Sequence, residues 1–217
     1  MIFNLYKPVR WTSFDVVKKI RGITHEKKVG HGGTLDPFAE GVLIIGTGKD
    51  TKVLSDITDK RKSYLATLTL GKTTNTLDVE GKVTEQVPIT NLTSDTVRII
   101  LSGFKGKQKQ IPPMFSAKKV KGVRLYKLAR KNQTIEREPR QINIYNIDFV
   151  SLDNDTLTFS VTCSKGTYVR VLGKDIAEAL GTVGYLTKLV RTNVGEYTVS
   201  DSVTIEQFEK RWIPTEV

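Results

Sequence analysis

A chain of 217 residues, 38% hydrophobic and 26% charged, is long enough for one large domain or two small ones and has the make-up of an ordinary globular protein. Two histidines and one cysteine, Cys163, are too few for an internal disulfide or a zinc site of the usual kind. No run of about 18 apolar residues is available to span a membrane, and the formal net charge of +11 suggests a polyanionic partner.

In chain order, Met1 to Pro8 lacks the layout of a signal peptide, and with the lone cysteine this sets the expectation of a cytoplasmic protein. Thr12 and Ser13 offer an N-cap to a short helix with Val16, Val17 and Ile20 as its apolar stripe and Gly22 as its end. Val42 to Ile45 is a short apolar run, readable as a buried strand or a helix turn. Tyr64 to Leu70 alternates and is rich in strand formers, and Gly71 to Gly81 is polar and turn-like. Ser94 caps a predicted helix with Val97, Ile100 and Leu101, stopping near Gly103. Pro112 and Pro113 keep the stretch from Gln110 to Met114 extended or looped, and Leu125 to Lys131 reads as helix.

Thr156 to Cys163 is the clearest strand, with Leu157, Phe159, Val161 and Cys163 on one face. Val169 to Leu180 predicts a helix with Val171, Leu172, Ile176 and Leu180 inward and Gly181 beyond its end. Tyr197 to Val199 suggests a last strand, and Thr204 to Arg211 a short charged helix. Strands and helices mix without a regular βαβ rhythm, so the expected class is α+β with a largely antiparallel sheet. No repeat or low-complexity linker marks a boundary, and one domain over 1–217 is the expectation.

The charge is concentrated. Leu101 to Arg140 holds 12 Lys or Arg against 2 acids, nearly the whole excess. Pro112, Pro113, Met114, Phe115 and Tyr126 interleave with these cations, a pattern suited to tracking phosphates while touching bases.

The Walker, dinucleotide-binding and nucleophile-elbow motifs are all missing. What stands out is Gly30-His31-Gly32-Gly33-Thr34-Leu35-Asp36-Pro37, where glycines permit a tight turn and Pro37 restrains Asp36. A second polar cluster, Ser164-Lys165-Gly166-Thr167-Tyr168-Val169-Arg170, sits where a strand gives way to a helix.

These stretches, with Lys7-Pro8 and Thr12-Ser13, the block from Val29 to Leu43, Lys62-Ser63-Tyr64, Gly71 to Gly81, Gln110 to Ala117, Gly122 to Arg130 and Ser164 to Arg170, resemble the TruB-type tRNA pseudouridine synthases in order, over roughly residues 3 to 200. The resemblance implies the pseudouridine synthase fold. It implies isomerisation of one T-loop uridine of tRNA, at position 55, to pseudouridine, with no metal and no cofactor needed. It also implies a flipped-out base. Asp36 matches the catalytic aspartate, which attacks the sugar or base or stabilises glycosidic cleavage. Arg170 matches the arginine paired with it, and Tyr64 the tyrosine that stacks on the target base. Leu189 takes the place of the apolar residue against the base. His31 matches a histidine that fills space around flipped bases, with a packed structural role as the alternative. Lys7, Pro8 and Gly33 are expected to brace the loop. Lys118, Lys119, Lys121 and Arg130, in an insertion at about 105–135, are expected to grip the RNA, as is Tyr168. Asp78 either touches RNA or stabilises a turn.

Arg10 and Asn75 depart from the family, which usually has Gly and often Asp there; Arg10 could add a phosphate contact or alter the loop. Val190 precedes Arg191 where two arginines are common, weakening one presumed RNA contact. No C-terminal PUA domain is expected within 217 residues. The expected protein is a monomer that acts on the T-arm of tRNA with no membrane or protein partner. The alternatives are an RNA-binding protein with catalysis lost and the catalytic subunit of a guide-RNA particle.

Overall fold

Apolar residues on both faces of one short strand organise the first half of the chain. A computed structural model describes residues 1–90, 92–120 and 122–212. Its elements begin with β1 (Ile2–Lys7), α1 (Ser13–Thr24), β2 (Val29–His31), β3 (Glu40–Thr47) and α2 (Leu54–Asp59). They continue with β4 (Lys62–Leu70), β5 (Lys72–Thr74), β6 (Val83–Gln86), α3 (Ser94–Gly103) and β7 (Gly106–Gln110). Next come β8 (Lys119–Val120), β9 (Val123–Arg124), α4 (Leu125–Ala129), β10 (Arg140–Asp153) and β11 (Thr156–Cys163). The last are α5 (Val169–Ala179), β12 (Gly184–Val194), β13 (Tyr197–Thr198), β14 (Val203–Thr204) and α6 (Ile205–Arg211). The chain divides into two units, one from Met1–Leu65 with the residues from Leu189 on, the other Ala66–Lys188. β4 and β12 therefore contribute residues to both.

In the first unit the strand order is β14–β1–β3–β12, with β2 also on β3 and β13 on β12. β1 pairs antiparallel with β3 (Leu5 opposite Leu43) and parallel with β14 (Leu5 opposite Val203). β3 is buried along nearly its whole length. Leu43 and Ile45 pack with Val16, Val17 and Ile20 of α1 and Ile205 and Phe208 of α6, while Val42 and Ile44 pack with Leu54 and Ile57 of α2. Such a strand has no hydrophilic face, which is why its sequence shows no alternation. Phe3, Phe208 and Trp212 close this core with ring contacts, Phe208 stacking on Trp212 at 5.5 Å.

In the second unit β12, β4, β11, β10 and β7 follow one another, with β10 antiparallel to both β11 and β7. Leu68, Leu157, Phe159, Leu172, Ile176 and Leu186 are fully buried there. β5–β6 and β8–β9 form separate hairpins. This is the expected α+β class with a mixed, mainly antiparallel sheet.

The structure adjusts several boundaries. α1 runs through Gly22 and ends at His25, whose left-handed φ of 55° makes the cap. Thr93, not Ser94, caps α3, its hydroxyl accepting from Thr96 N–H. Leu180 is the half-buried C-cap of α5 and not a core member. β1, β10 and β12 lie outside the predicted elements. β10 carries two register shifts against β11, and its inward residues Ile142, Ile144 and Ile147 break strict alternation. β12 buries positions 184, 186, 189, 191 and 194, a spacing that also slips.

The Thr12 capping box closes on Asp15 in both directions. Thr12→Ala is expected to cost about 1 kcal/mol of stability, measurable as a lower urea midpoint with unchanged slope.

Candidate active site

The segment between β2 and β3 carries Asp36, and its shape is set by what grips its backbone. Gly33 adopts φ +108° and Gly41 φ +104°, values open to glycine and strained for other residues. A Cβ on Gly41 would also collide with the backbone carbonyl of Arg191, its partner across the β3–β12 ladder.

Three buried side chains then hold the loop carbonyls. Arg191, 1% exposed, donates Nε–H to Val42 O (2.7 Å) and its two terminal nitrogens to Thr34 O and Gly33 O (3.2 Å each). Ser13 donates its hydroxyl to Leu35 O and accepts from Leu35 N–H. Lys7, 0% exposed, donates Nζ to Trp11 O (2.6 Å), Pro8 O (2.7 Å) and Pro37 O (3.4 Å). Arg10 N–H also reaches Pro37 O, and Ala39 N–H reaches Asp36 O. Every carbonyl from Gly33 to Pro37 thus has a donor. With Leu35, Phe38 and Ala39 buried around it, the half-buried Asp36 side chain stands on a fixed backbone.

Burying the Lys7 and Arg191 cations is costly, and the carbonyl dipoles offset that cost. Lys7, Pro8 and Gly33 therefore take part in bracing, and Arg191, which the sequence marks only as following Val190 where two arginines are common, joins them. Its guanidinium is committed to backbone. Nothing in the residue order of β12 distinguishes such an arginine from an exposed one.

His31, half-buried at the end of β2, has a buried Nδ1 with no hydrogen-bond partner among the described residues. Burial first, and the Arg191 charge second, push its pKa down. It is a neutral imidazole near pH 7, suited to packing against rings. Tyr64 is half-buried on β4, and Leu189 is buried on β12.

In the second unit, Arg170 enters at the first turn of α5 and is 3% exposed. It donates to Thr76 O (2.7 Å) and Phe115 O (2.8 Å) and pairs with Asp78 at 3.3 Å. Asp78, also 3% exposed, accepts from the Thr76 hydroxyl (2.6 Å) and Glu80 N–H (3.1 Å). Of the two sequence readings for Asp78, the turn-stabilising one matches these contacts, and the arginine pairing is an addition. Gln110, on β7 and 4% exposed, clamps both backbone groups of Tyr168 at the start of α5. Tyr168 lacks a side-chain cap, so Gln110 supplies what the helix start needs.

The basic segment is a hairpin and short helix anchored by Leu125, which is fully buried. Lys119, Arg124, Lys127 and Arg130 are exposed and Lys118 half-buried. Arg130 lies over the Tyr126 ring at 5.4 Å. Lys121 lies outside the described residues. No helix among the described residues is long and apolar enough to cross a membrane.

Residues 21–169 match the TruB family pseudouridylate synthase (N terminal domain), and residues 170–216 the tRNA pseudouridylate synthase B C-terminal domain. The tRNA pseudouridine synthase B of Clostridium tetani is 46% identical over 96% of this chain and 72% of its own length. That of Lactococcus lactis subsp. cremoris is 45% identical over 96% of this chain and 66% of its own. Among solved structures, a Cbf5-Nop10-Gar1 complex matches at TM-score 0.75 and 28% identity. An H/ACA RNP bound to a substrate RNA containing 2'-deoxyuridine matches at TM-score 0.71 and 25% identity. The chain spans about half the length of each of these two solved chains and 96% of itself is covered.

Arg191→Met is expected to cost roughly 2–4 kcal/mol, because it leaves buried carbonyls without donors. It also removes one cause of the depressed His31 pKa, so His31 should titrate higher in an NMR titration. The sign for stability follows. A His with a folded pKa below the unfolded value of about 6.5 favours folding fully above that pH, and the contribution is lost as pH falls toward the folded value.

Proposed function

The chain belongs to the TruB family of pseudouridylate synthases, and we propose that it converts uridine to pseudouridine in tRNA, with the T-loop uridine at position 55 as its target. The observation that carries this reading is the Asp36 loop, whose carbonyls from Gly33 to Pro37 are all held, so that one carboxylate is presented on a preorganised backbone. The reaction breaks the bond from ribose C1′ to N1, turns the base and forms the bond from C1′ to C5. N1 gains a proton and C5 loses one, so atoms balance with no redox change.

Asp36 acts at the glycosidic bond, and Arg170 stands at the motif position of the family's active-site arginine. Tyr64 lies against the target base with Leu189 beside it, and neutral His31 packs where bases are flipped out. These roles rest on motif position. The exposed cations of the 105–135 insertion, with Tyr168, support a grip on the T-arm. The chain acts as a monomer and as a single catalytic domain. A second reading, the catalytic subunit of a guide-RNA particle, is favoured by the likeness to the Cbf5 complexes. Activity of the purified chain on tRNA alone separates the two.

The test is release of tritium from a tRNA transcript labelled at uridine C5, since forming the new bond expels that label. Wild type should release about one label per target uridine. Asp36→Asn should release none while its tRNA affinity stays within a few fold; equal loss of binding would contradict the assignment. Replacing Lys118, Lys119 and Lys121 together by glutamine should weaken binding and lower the salt slope by about 1 for each phosphate contact removed.

A further inference from the structure

Between α1 and α6 of the first unit lies a cleft of about 630 Å3 whose lining includes Arg10, Trp11, Asp15, Lys18, Lys19 and Glu209. Both acids are occupied. Asp15 accepts from the Thr12 backbone (2.8 Å) and hydroxyl (2.7 Å), and Glu209 pairs with Lys19 at 2.6 Å. Among the described residues the Arg10 and Lys18 side chains make no hydrogen bond and no ion pair within 4 Å, and Lys18 acts on Asp15 only through its charge. Phe14, 61% exposed, stands one turn before Lys18 on the same helix.

Arg10 is also strained. Its φ of +67° is left-handed, a conformation that crowds any Cβ and that glycine adopts freely. A long cation held at such a position, unpaired, at the rim of a cleft and one hydrogen bond from the Asp36 loop through Pro37 O, marks a ligand contact.

We propose that Arg10 and Lys18 bind phosphodiester groups of the tRNA substrate and that the Trp11 ring lines the path of the adjoining nucleotide, an RNA contact separate from the basic hairpin. This rests on the proposed action on tRNA. The Arg10 backbone N–H on Pro37 O ties the contact to the loop that carries Asp36, so RNA held in the cleft is held beside the catalytic loop.

The experiment compares wild type, Arg10→Gly and Lys18→Gln for binding of a tRNA transcript across a salt series, with melting temperature measured alongside. Each variant should weaken binding roughly three- to tenfold at low salt and lower the salt slope by about 1. Arg10→Gly should melt at the same temperature as wild type or higher, because it relieves a strained backbone. A lower melting temperature with an unchanged salt slope would show a structural role and overturn the proposal. Wild type that binds tRNA while both variants keep its slope also overturns it, leaving the synthase reading intact. Wild type that binds no tRNA overturns both.

Discussion

The grip of buried cations on backbone carbonyls is the constraint on which the Asp36 loop depends. Lys7 and Arg191 reach the loop from β1 and β12, and both end on peptide oxygens. Carbonyl dipoles are suited to this because they solvate a buried cation without bringing a second formal charge into the interior. The backbone that carries Asp36 is thus fixed through its own carbonyl groups.

The second unit repeats the device with a different balance. Arg170 spends two donors on Thr76 O and Phe115 O and also meets the buried carboxylate of Asp78. That ties together the turn after β5, the stretch after β7 and the start of α5, three segments far apart in sequence. Gln110 does related work on the same helix start through Tyr168. Positioning in both units thus comes from buried polar side chains satisfied by main chain, where loss of one partner strands several groups at once.

How much of this was legible in the sequence depended on period and on locality. The strand at Thr156–Cys163 was plain because its alternation is unbroken, and α6 because Ile205 and Phe208 give a charged segment one apolar side. β10 escaped because its register shifts move the inward residues off a period of two. β12 escaped because one of its inward residues is an arginine. The motif blocks pointed to Asp36, Tyr64 and Arg170, and Lys7 was expected to brace the loop. Arg191, Ser13 and Gln110 could not be read the same way, since their partners are carbonyls contributed by distant segments and a carbonyl leaves no mark on residue identity. The left-handed Arg10 was visible only as a departure from the glycine usual in the family.

The interleaving of the two units bears on the order in which a ribosome can complete them. The second unit is one continuous segment, Ala66–Lys188, and all of its strands except the shared β12 are available before the rest of the chain emerges. The first unit is different. β1 can pair with β3 early, through Leu5 and Leu43, but its other edge waits for Val203, and the face of α1 waits for Ile205 and Phe208. Arg191, which holds carbonyls of the Asp36 loop, also arrives late. During synthesis the N-terminal strand therefore spends its time with one edge open while a later segment folds, the reverse of the usual N-terminal-first order. The carbonyls of Gly33 and Thr34 in the Asp36 loop receive their donors only once Arg191 has been made.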